Sequence, residues 1–582
     1  MPQNPLASKA APPDERMWPS KPPREVYLMG IGGIAMGSFA GLLREAGHAV
    51  RGSDAAIYPP MQTYLAKWGI PVRTPYDAAN LTPKPDLVVV GNVIRRDNPE
   101  AAAARGLQLP MLSLPQALWR LFLRPAHRVA VCGTHGKTTC TALLAHVLRH
   151  AGEDPGFLVG GIVRGLETSF SSGSLQPGGV FVVEADEYDT AYFDKSPKFL
   201  HYRPQVLLAT SLEFDHADIY DSLDAIAARF GELFAGVGGA NCHPDERSEE
   251  GPLPSQGGQT HVAQPSLCHS RAGGNPARNV RFASNDSHVQ GQNSPFGLDP
   301  RWSLPLPPSR GGDDNQKSRD DRQKSRHDRA VGIVACSDEP RLMQTVRRAR
   351  PGVPVITYGQ TGDWQAREIR ATPRGTSFIA CYRGKPVGPI HSRLWGPHNV
   401  QNVLGCTAVL ARLGLTHARI AAGVRTFAGV ARRLELVGER GDRVVLDDFA
   451  HHPTAVAKTL QGVRARYPDR LVWALFEPRS ATSCRRTFQQ DYVAALAHAD
   501  RVFIAPTGRE LPPGQSLDTR QLARDISQRG VPAFASATLD ELVETVVHDA
   551  PDPVVVVCMS NGAFGGVPQR IARRAGLLLP HS

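Results

Sequence analysis

Val129-Ala130-Val131-Cys132-Gly133-Thr134-His135-Gly136-Lys137-Thr138-Thr139 is the stretch on which the reading of this chain turns. Four apolar residues read as a buried strand, a loop with two glycines follows, and Thr141–His150 reads as the helix that the loop opens. Such a loop turns successive backbone N–H groups toward a triphosphate. Lys137 is placed to neutralise the β- and γ-phosphates, and the Thr138 hydroxyl to ligate Mg²⁺. Gly133, Thr134, His135, Gly136 and Thr139 complete the candidate nucleotide loop. The strict pattern has glycine at position 131, where this chain has Val131, so the loop is a variant with a shorter glycine spacing.

Upstream, the strand Val26–Met29 runs into Gly30-Ile31-Gly32-Gly33-Ile34-Ala35 and a helix over Ala35–Glu45, with Asp54 just beyond the next strand, Ala49–Gly52. Glycines at 30, 32 and 33 let backbone approach a diphosphate, and the helix N-terminus offers it N–H groups. On its own this pattern suggests a nicotinamide-dependent dehydrogenase, with Asp54 on the ribose. That reading leaves the second glycine loop without a purpose, and a bare nucleotide-binding module would not need the rest of the chain. Downstream, the strand Val180–Val183 ends in Glu184-Ala185-Asp186-Glu187-Tyr188-Asp189. A carboxylate at the end of a parallel strand beside a phosphate loop is placed to hold Mg²⁺. Glu184 is the candidate, and Asp186, Glu187 and Asp189 read as structural. The strand Val206–Ala209 leads to Leu212-Glu213-Phe214-Asp215-His216, where His216 among carboxylates can ligate metal or orient phosphate.

These units sit in a chain of 582 residues, long enough for about three to five domains. Short apolar runs alternate with helical patterns, the texture of an α/β protein. After position 330 it continues through strands at Val331–Cys336 and Val353–Tyr358 and a β-ribbon near Ser377–Tyr382. Val444–Leu446, Leu471–Phe476, Val502–Ala505 and Val554–Met559 then alternate with helices such as Thr454–Arg466, reading as a separate doubly wound domain. Two segments break the texture. Residues 1–24 hold seven prolines and no apolar periodicity, so a disordered tail is expected. Between 240 and 330, only 18 of the 90 residues from Asn241 to Ala330 are hydrophobic, half the chain's 41%, too few to offset ordering entropy. Two Cys-His pairs there, Cys242-His243 and Cys268-His269, sit in low-complexity sequence that argues against a zinc site. No apolar run is long enough to span a bilayer, and no secretory h-region opens the chain. Nine cysteines without a CxxC pair fit reduced thiols in a cytoplasmic protein. The net charge of +11 is dispersed, with no basic stripe interleaved with aromatics, so nucleic acid is not an expected partner.

The motif order continues through Gly396-Pro397-His398-Asn399-Val400-Gln401-Asn402, Ala431-Arg432-Arg433-Leu434 and Asp447-Asp448-Phe449-Ala450-His451-His452-Pro453-Thr454. Taken together, the chain resembles the Mur ligase family of ATP-dependent amide-bond ligases. The resemblance implies a three-domain α/β architecture. A Rossmann-like domain over 25–126 would hold a UDP-sugar through Gly30, Gly32, Gly33 and Asp54, in place of NAD. A P-loop ATPase domain would cover 127–430, with the 240–330 insertion inside it, and a doubly wound peptide-binding domain 431–582. It also implies that Thr138, Glu184 and His216 ligate Mg²⁺, that His398, Asn399 and Asn402 lie by the nucleotide, that Arg433 reaches the γ-phosphate, and that Asp448 lies near the ribose. Several relatives use a carbamylated lysine at the position of Gly231, and no lysine occurs between His216 and the insertion, in agreement with the muramate-accepting branch.

Four segments carry the resemblance further: Tyr58-Pro59-Pro60-Met61, Tyr192-Phe193-Asp194-Lys195 after Glu184–Asp189, Glu477-Pro478-Arg479-Ser480, and Met559-Ser560-Asn561-Gly562-Ala563-Phe564-Gly565-Gly566. They resemble the branch that joins the murein tripeptide L-alanyl-γ-D-glutamyl-meso-diaminopimelate to UDP-N-acetylmuramate in cell-wall recycling. The alternative is the branch that adds free L-alanine to the same acceptor in de novo peptidoglycan synthesis. The implied chemistry uses ATP and Mg²⁺: the lactyl carboxylate becomes an acyl phosphate, and the peptide amine displaces phosphate. Lys137, Glu184, His216 and Arg433 would be the catalytic residues. The peptide carboxylates need cationic partners, and Arg479, followed by Ser480, is the candidate because guanidinium pairs bidentately with carboxylate. No obligate protein partner and no membrane insertion are expected.

Overall fold

The computed structural model describes residues 22–577 except 175–177, 218, 240–329, 373, 510 and 513. The expected tail (but for residues 22–24), the expected insertion (but for Ala330) and the two Cys-His pairs therefore lie outside the described residues.

The chain builds three main sheets. The first has strands β1 (Glu25–Met29), β2 (Ala49–Ser53), β3 (Val72–Arg73), β4 (Leu87–Val90) and β5 (Met111–Ser113), all parallel, in the order β3-β2-β1-β4-β5. Its central strands are apolar on both faces because helices cover both. Val26 and Leu28 point into one cluster, Tyr27 and Met29 into the other. The reversal of strand order falls at β1, and Gly30–Gly33 leaves its C-terminal end there, where such sheets bind ligands.

The second sheet is mixed. Its strands are β6 (His127–Cys132), β7 (Gly156–Leu158), β8 (Phe170–Ser171), β9 (Val180–Glu184), β12 (Val206–Ala209), β13 (Gly332–Cys336), β14 (Val355–Tyr358), β15 (Trp364–Thr372), β16 (Gly375–Tyr382) and β17 (Lys385–Ser392). Between β9 and β12 a small hairpin, β10 (Asp189–Ala191) with β11 (Asp194–Pro197), stands apart. The order is β17-β16-β15-β14-β13-β12-β6-β9-β7-β8. β6 lies between β9 and β12, parallel to both. The loops after β6, β9 and β12 therefore leave the same edge side by side, and these carry the phosphate loop, Glu184–Asp189 and Thr210–His216. The β-ribbon expected near 377–382 is the middle strand of the antiparallel extension β15-β16-β17.

The third sheet runs β18-β19-β23-β20-β21-β22, with β18 (Glu435–Arg440), β19 (Arg443–Asp448), β20 (Leu471–Phe476), β21 (Arg501–Ile504), β22 (Ala533–Ala535) and β23 (Val554–Met559). All pairs are parallel except β18–β19. The run Val554–Met559 is buried throughout, with Val555, Val557 and Met559 facing one layer and Val554, Val556 and Cys558 the other. One core cluster extends continuously from the first sheet into the second, and Phe170 of β8 packs against Trp68 at a centroid distance of 4.9 Å.

Among the described residues no helix is long and apolar enough to cross a membrane. The seven described cysteines are buried and unpaired, Cys132 included, consistent with packing.

Candidate active site

The loop after β6 needs its two glycines for different reasons. Gly133 has φ +127°, and a Cβ there would stand 2.2 Å from the Thr210 hydroxyl. Gly136 has φ +83°, and a Cβ would stand 2.5 Å from Asn402 Oδ1. Both positions combine a backbone region that favours glycine with a close approach from another element. Gly136 caps the Lys137–His150 helix, so the N–H groups of its first turn face the loop. The loop is braced from β12: the His135 N–H donates to Ser211 Oγ at 2.9 Å, and the Thr210 hydroxyl to the His135 carbonyl at 2.5 Å.

Lys137 extends from that turn to Glu187, Nζ to Oε2 2.8 Å, with Asp186 Oδ1 at 3.7 Å. The opposite oxygen of Glu187, Oε1, lies 3.4 Å from His216 Nε2. One carboxylate is thus held between two basic groups. Burial alone would raise the Glu187 proton affinity, but Lys137 and His216 overcome it and bring the pKa to about 2. Burial opposes protonation of His216, yet Glu187 and then Asp215 raise it to about 9. Lys137 shows the same balance, desolvation being outweighed by Glu187 and Asp186, so it remains an ammonium. His216 has φ +55°, a strained position for a side-chain-bearing residue. Its N–H donates to Asp215 Oδ1 at 2.7 Å and faces Thr482 Oγ1 of the third sheet's domain at 3.1 Å.

Glu184, at the end of β9, accepts from the Thr138 hydroxyl at 2.8 Å and from the Gly160 N–H at 2.9 Å. Its proton affinity is raised by burial and by Asp186. Among the described residues no basic side chain lies within 4 Å of it, so the fold leaves its charge poorly compensated. Arg433 is the converse. It is a partly buried guanidinium 5.0 Å over the Phe449 ring, with no carboxylate in ion-pair range among the described residues. Burial lowers its pKa, while Asp448 and Glu184 act against that. The neighbouring Arg432 is already committed, to Asp447 at 3.2 Å and to the Ser560 carbonyl at 2.7 Å.

Asp448 ends β19 of the third sheet, beside these arginines. Its carboxylate accepts from the Leu434 N–H at 2.7 Å, the Ala450 N–H at 2.8 Å and the Thr459 hydroxyl at 3.2 Å. In this arrangement it ties the segment entering β18 to the end of β19. Asn402 packs on Gly136 and donates to Asn399 Oδ1 at 3.1 Å, and Asn399 in turn donates to the Trp395 carbonyl at 2.7 Å. His398 starts the same helix; burial, then Lys458 and Arg433, lower its pKa to about 4, and its Nδ1 is buried without a partner. The structure thus places Lys137, Thr138, Glu184, His216, Arg433 and the Asn399–Asn402 pair around one loop.

The other candidates stand in the outer domains. Asp54 turns back on the first glycine loop, accepting the Gly32 N–H at 2.7 Å, and a Cβ on Gly32 would meet the same oxygen at 2.8 Å. Gly30 has φ +81° and donates to the Ser53 carbonyl at 2.8 Å; Gly33 caps the Ile34–Glu45 helix. Arg479, half-exposed, threads between two glycines: a Cβ on Gly562 would lie 2.3 Å from its Cδ, and one on Gly508 2.8 Å from its Cγ. Its Nη1 is 3.5 Å from the buried Glu477, and Ser480 shares a hydroxyl contact with Ser483 at 2.9 Å.

Sequence reasoning assigned Glu187 to a structural turn, and the structure places it between Lys137 and His216. The sequence offered four acidic positions within six residues and nothing to rank them. Glu213, His452 and Thr482 were also missed, because the contacts Glu213–Thr454, His452–Phe214 and Thr482–His216 each span more than 200 residues of chain.

Comparison with known proteins shows the family. The chain matches the Mur ligase family catalytic domain over residues 25–124, the Mur ligase middle domain over 131–243, and the Mur ligase glutamate ligase domain over 432–562. It is 33% identical over 547 residues to the UDP-N-acetylmuramate–L-alanyl-gamma-D-glutamyl-meso-2,6-diaminoheptandioate ligase of Escherichia coli (strain K12), covering 94% of this chain and 97% of the relative. It is 29% identical to the UDP-N-acetylmuramate–L-alanine ligase of Chromobacterium violaceum, covering 95% of this chain and 99% of that one. Among solved structures, a murein peptide ligase from Psychrobacter arcticus 273-4 superposes with a TM-score of 0.61 at 28% identity, covering 96% of this chain and 100% of the other. With a nucleotide-type loop, a flanking pair of carboxylates and an unpaired arginine at one sheet edge, and relatives matched over nearly their whole length, the chain belongs to the Mur ligase family of ATP-dependent amide-bond ligases.

Proposed function

We propose that this enzyme joins the tripeptide L-alanyl-γ-D-glutamyl-meso-diaminopimelate to the lactyl carboxylate of UDP-N-acetylmuramate. The observation that carries the reading is the 33% identity over 94% of the chain to a ligase named for that reaction. On this reading the enzyme works in the cytoplasm, in recovery of cell-wall peptides, and we also propose domain boundaries near 126 and 430.

In the proposed reaction the γ-phosphoryl group of ATP passes to the muramyl carboxylate, and the amine of the peptide's L-alanine displaces phosphate from the acyl phosphate. The loop 133–139 holds the phosphates by its N–H groups, and Lys137 meets the transferring charge. On phosphate arrival the Lys137–Glu187 contact is exchanged for, or shared with, phosphate oxygen. Arg433, which has no carboxylate of its own, approaches from the hinge. Asn402 and Asn399 brace the loop, while Asp54 shapes the first glycine loop for a diphosphate. Arg479 meets a peptide carboxylate, with Glu477 holding the guanidinium in place. Closing the third domain over the loop, where Thr482 already reaches His216, excludes the water that would hydrolyse an acyl phosphate.

A Mg²⁺ ion fits Thr138 and Glu184: two hard oxygen donors stand 2.8 Å apart, and the carboxylate has no cation of its own. His216 would join them only after giving up the proton that Glu187 holds on it. When bound, the ion would neutralise charge on the phosphate oxygens.

The decisive assay is phosphate release from ATP and UDP-N-acetylmuramate with Mg²⁺, comparing the tripeptide with free L-alanine. Release dependent on the tripeptide is expected. Release with L-alanine and none with the tripeptide would move the enzyme to the alternative branch.

A further inference from the structure

His135, Glu213 and His452 converge from three separate elements: the phosphate loop, the loop after β12, and the residue that caps the Pro453–Arg466 helix of the C-terminal domain. We propose that these three side chains form a second metal site, for a borderline transition-metal ion of the Zn²⁺ or Co²⁺ type, distinct from the Thr138–Glu184 position and joining the two domains.

The distances suit such an ion. Glu213 Oε2 lies 3.4 Å from His135 Nε2 and 3.4 Å from His452 Nδ1, and all three donor atoms lie within 4.8 Å of one another. Bonds of about 2.0–2.2 Å to nitrogen and oxygen in a tetrahedral shell separate neighbouring donors by about 3.3–3.5 Å. Two edges already have that length, and the third lies within 4.8 Å.

The chemical state suits it too. His452 Nε2 faces the Phe214 carbonyl at 3.2 Å, an acceptor that requires the proton on Nε2. That leaves the lone pair on Nδ1, which points into the cluster. The His452 side chain is only 7% exposed, and its Nδ1 is buried with no hydrogen-bond partner. His135 Nε2 is likewise buried and without one. A buried, unpartnered nitrogen costs free energy unless something occupies it. A ligand histidine whose other nitrogen is fixed by a carbonyl is the usual support in metal sites, and the Thr454 hydroxyl on Glu213 Oε2 at 2.6 Å orients the carboxylate in the same way. One anionic oxygen and two imidazole nitrogens select against Mg²⁺, which prefers oxygen shells, and for Zn²⁺ or Co²⁺. Because His135 belongs to the phosphate loop and His452 to the domain that closes on it, the bound ion would pin one to the other. None of this depends on which peptide the enzyme accepts.

The test uses the untagged, nucleotide-free full chain carrying Cys242→Ser and Cys268→Ser, which removes the two Cys-His pairs of the 240–330 segment as competing ligands. Titration with Co²⁺ should saturate at one equivalent with the intense visible absorption of a tetrahedral nitrogen/oxygen site. The X-ray absorption spectrum at the zinc edge should show two imidazoles and no sulfur. His452→Ala and Glu213→Gln should each weaken binding by roughly 100-fold or more, since losing a ligand should cost at least as much as losing a supporting contact. Absence of binding, sulfur in the shell, or unchanged affinity in both variants would overturn the proposal. If either variant fails to fold, the zinc-edge spectrum of the parent chain decides alone.

Discussion

Gly136→Ala tests whether the phosphate loop is held by a neighbouring helix as well as by its own backbone. Gly136 has φ +83°, and its missing Cβ would lie 2.5 Å from Asn402 Oδ1. An alanine in the left-handed region costs about 1–2 kcal/mol. Relieving the contact requires Asn402 to move by several tenths of an ångström. Asn402 is nearly buried and tied to Asn399 Oδ1 at 3.1 Å, so the shift endangers a hydrogen bond of about 1 kcal/mol. The sum is about 2–3 kcal/mol, which should lower the middle domain's Tm by roughly 5–10 °C. Only the second part depends on Asn402. A thermal-denaturation cycle of G136A, N402A and the double variant should therefore show coupling of about 1 kcal/mol, the double variant being less destabilised than the singles summed. The assay is run without nucleotide, because Asn402 is also a candidate ligand of ATP. Additivity within about 0.5 kcal/mol would refute the contact.

Glu187→Gln removes the anion shared by Lys137 and His216. In the ligand-free enzyme His216 should titrate near 9, and the substitution should bring it down by at least one unit, toward or below its ordinary 6.5, as read by NMR; an unmoved His216 would dismiss the pairing. The sign follows from the folded values. The His216 contribution to stability is full below 6.5 and lost as pH rises through about 9, whereas that of Glu187 is present above 4.5 and lost as pH falls through about 2. Unfolding free energy measured across both windows should lose both slopes in the variant. Deleting 241–329 should leave kcat and Tm nearly unchanged: Gly238 and Gly332 donate to Pro204 and Gln205, so the flanking chain meets at the start of β12, opposite the edge that carries the phosphate loop. A large loss of either would assign the segment a role. Arg479→Ala should raise the KM for tripeptide about tenfold or more while sparing that for ATP, the loss expected of a charge-assisted contact; an unchanged tripeptide KM would remove Arg479 from the peptide site.

Much of the fold is legible because its central strands are buried on both faces. Val554–Met559 and Leu87–Val90 are continuous apolar runs, and each was read at its observed limits. Short strands escaped. Val72–Arg73 and Phe170–Ser171 span two residues each, and pairing with a neighbour, not their own pattern, makes them strands. The Gly133–Thr139 loop was legible as a candidate phosphate loop because its pattern is local: glycine, lysine and threonine fall within seven positions. What surrounds it was legible only in part. Glu184 was picked as the first carboxylate off its strand, which is a geometric reason. Glu187, three residues on, has no such mark, and its importance comes from His216, which only the fold brings near. Asp448 shows the same limit, since its backbone donors at 434 and 450 depend on how the hinge is folded.

The topology explains why so many functional groups meet at one edge. β6 lies between β9 and β12, so the three loops that leave those strands are neighbours although they are separated by up to 80 residues. A phosphate loop in that position gains a carboxylate on one side and a histidine loop on the other without any long connection. The cost is charge crowding: Glu184, Asp186 and Glu187 stand close together, Glu187 balanced by Lys137 and His216 and Asp186 by Lys137 and Lys198, with no cation among the described residues in contact with Glu184. An anionic triphosphate alone would worsen that imbalance at Glu184. In the proposed reaction a divalent cation entering with it would reverse the sign locally, and Arg433, whose charge Glu184 and Asp448 already favour, would add a second positive charge. On that reading nucleotide binding and cation binding would be electrostatically dependent on one another at this edge. A phosphoryl transfer that must wait for a second substrate needs that dependence, because an open site would offer the acyl phosphate to water.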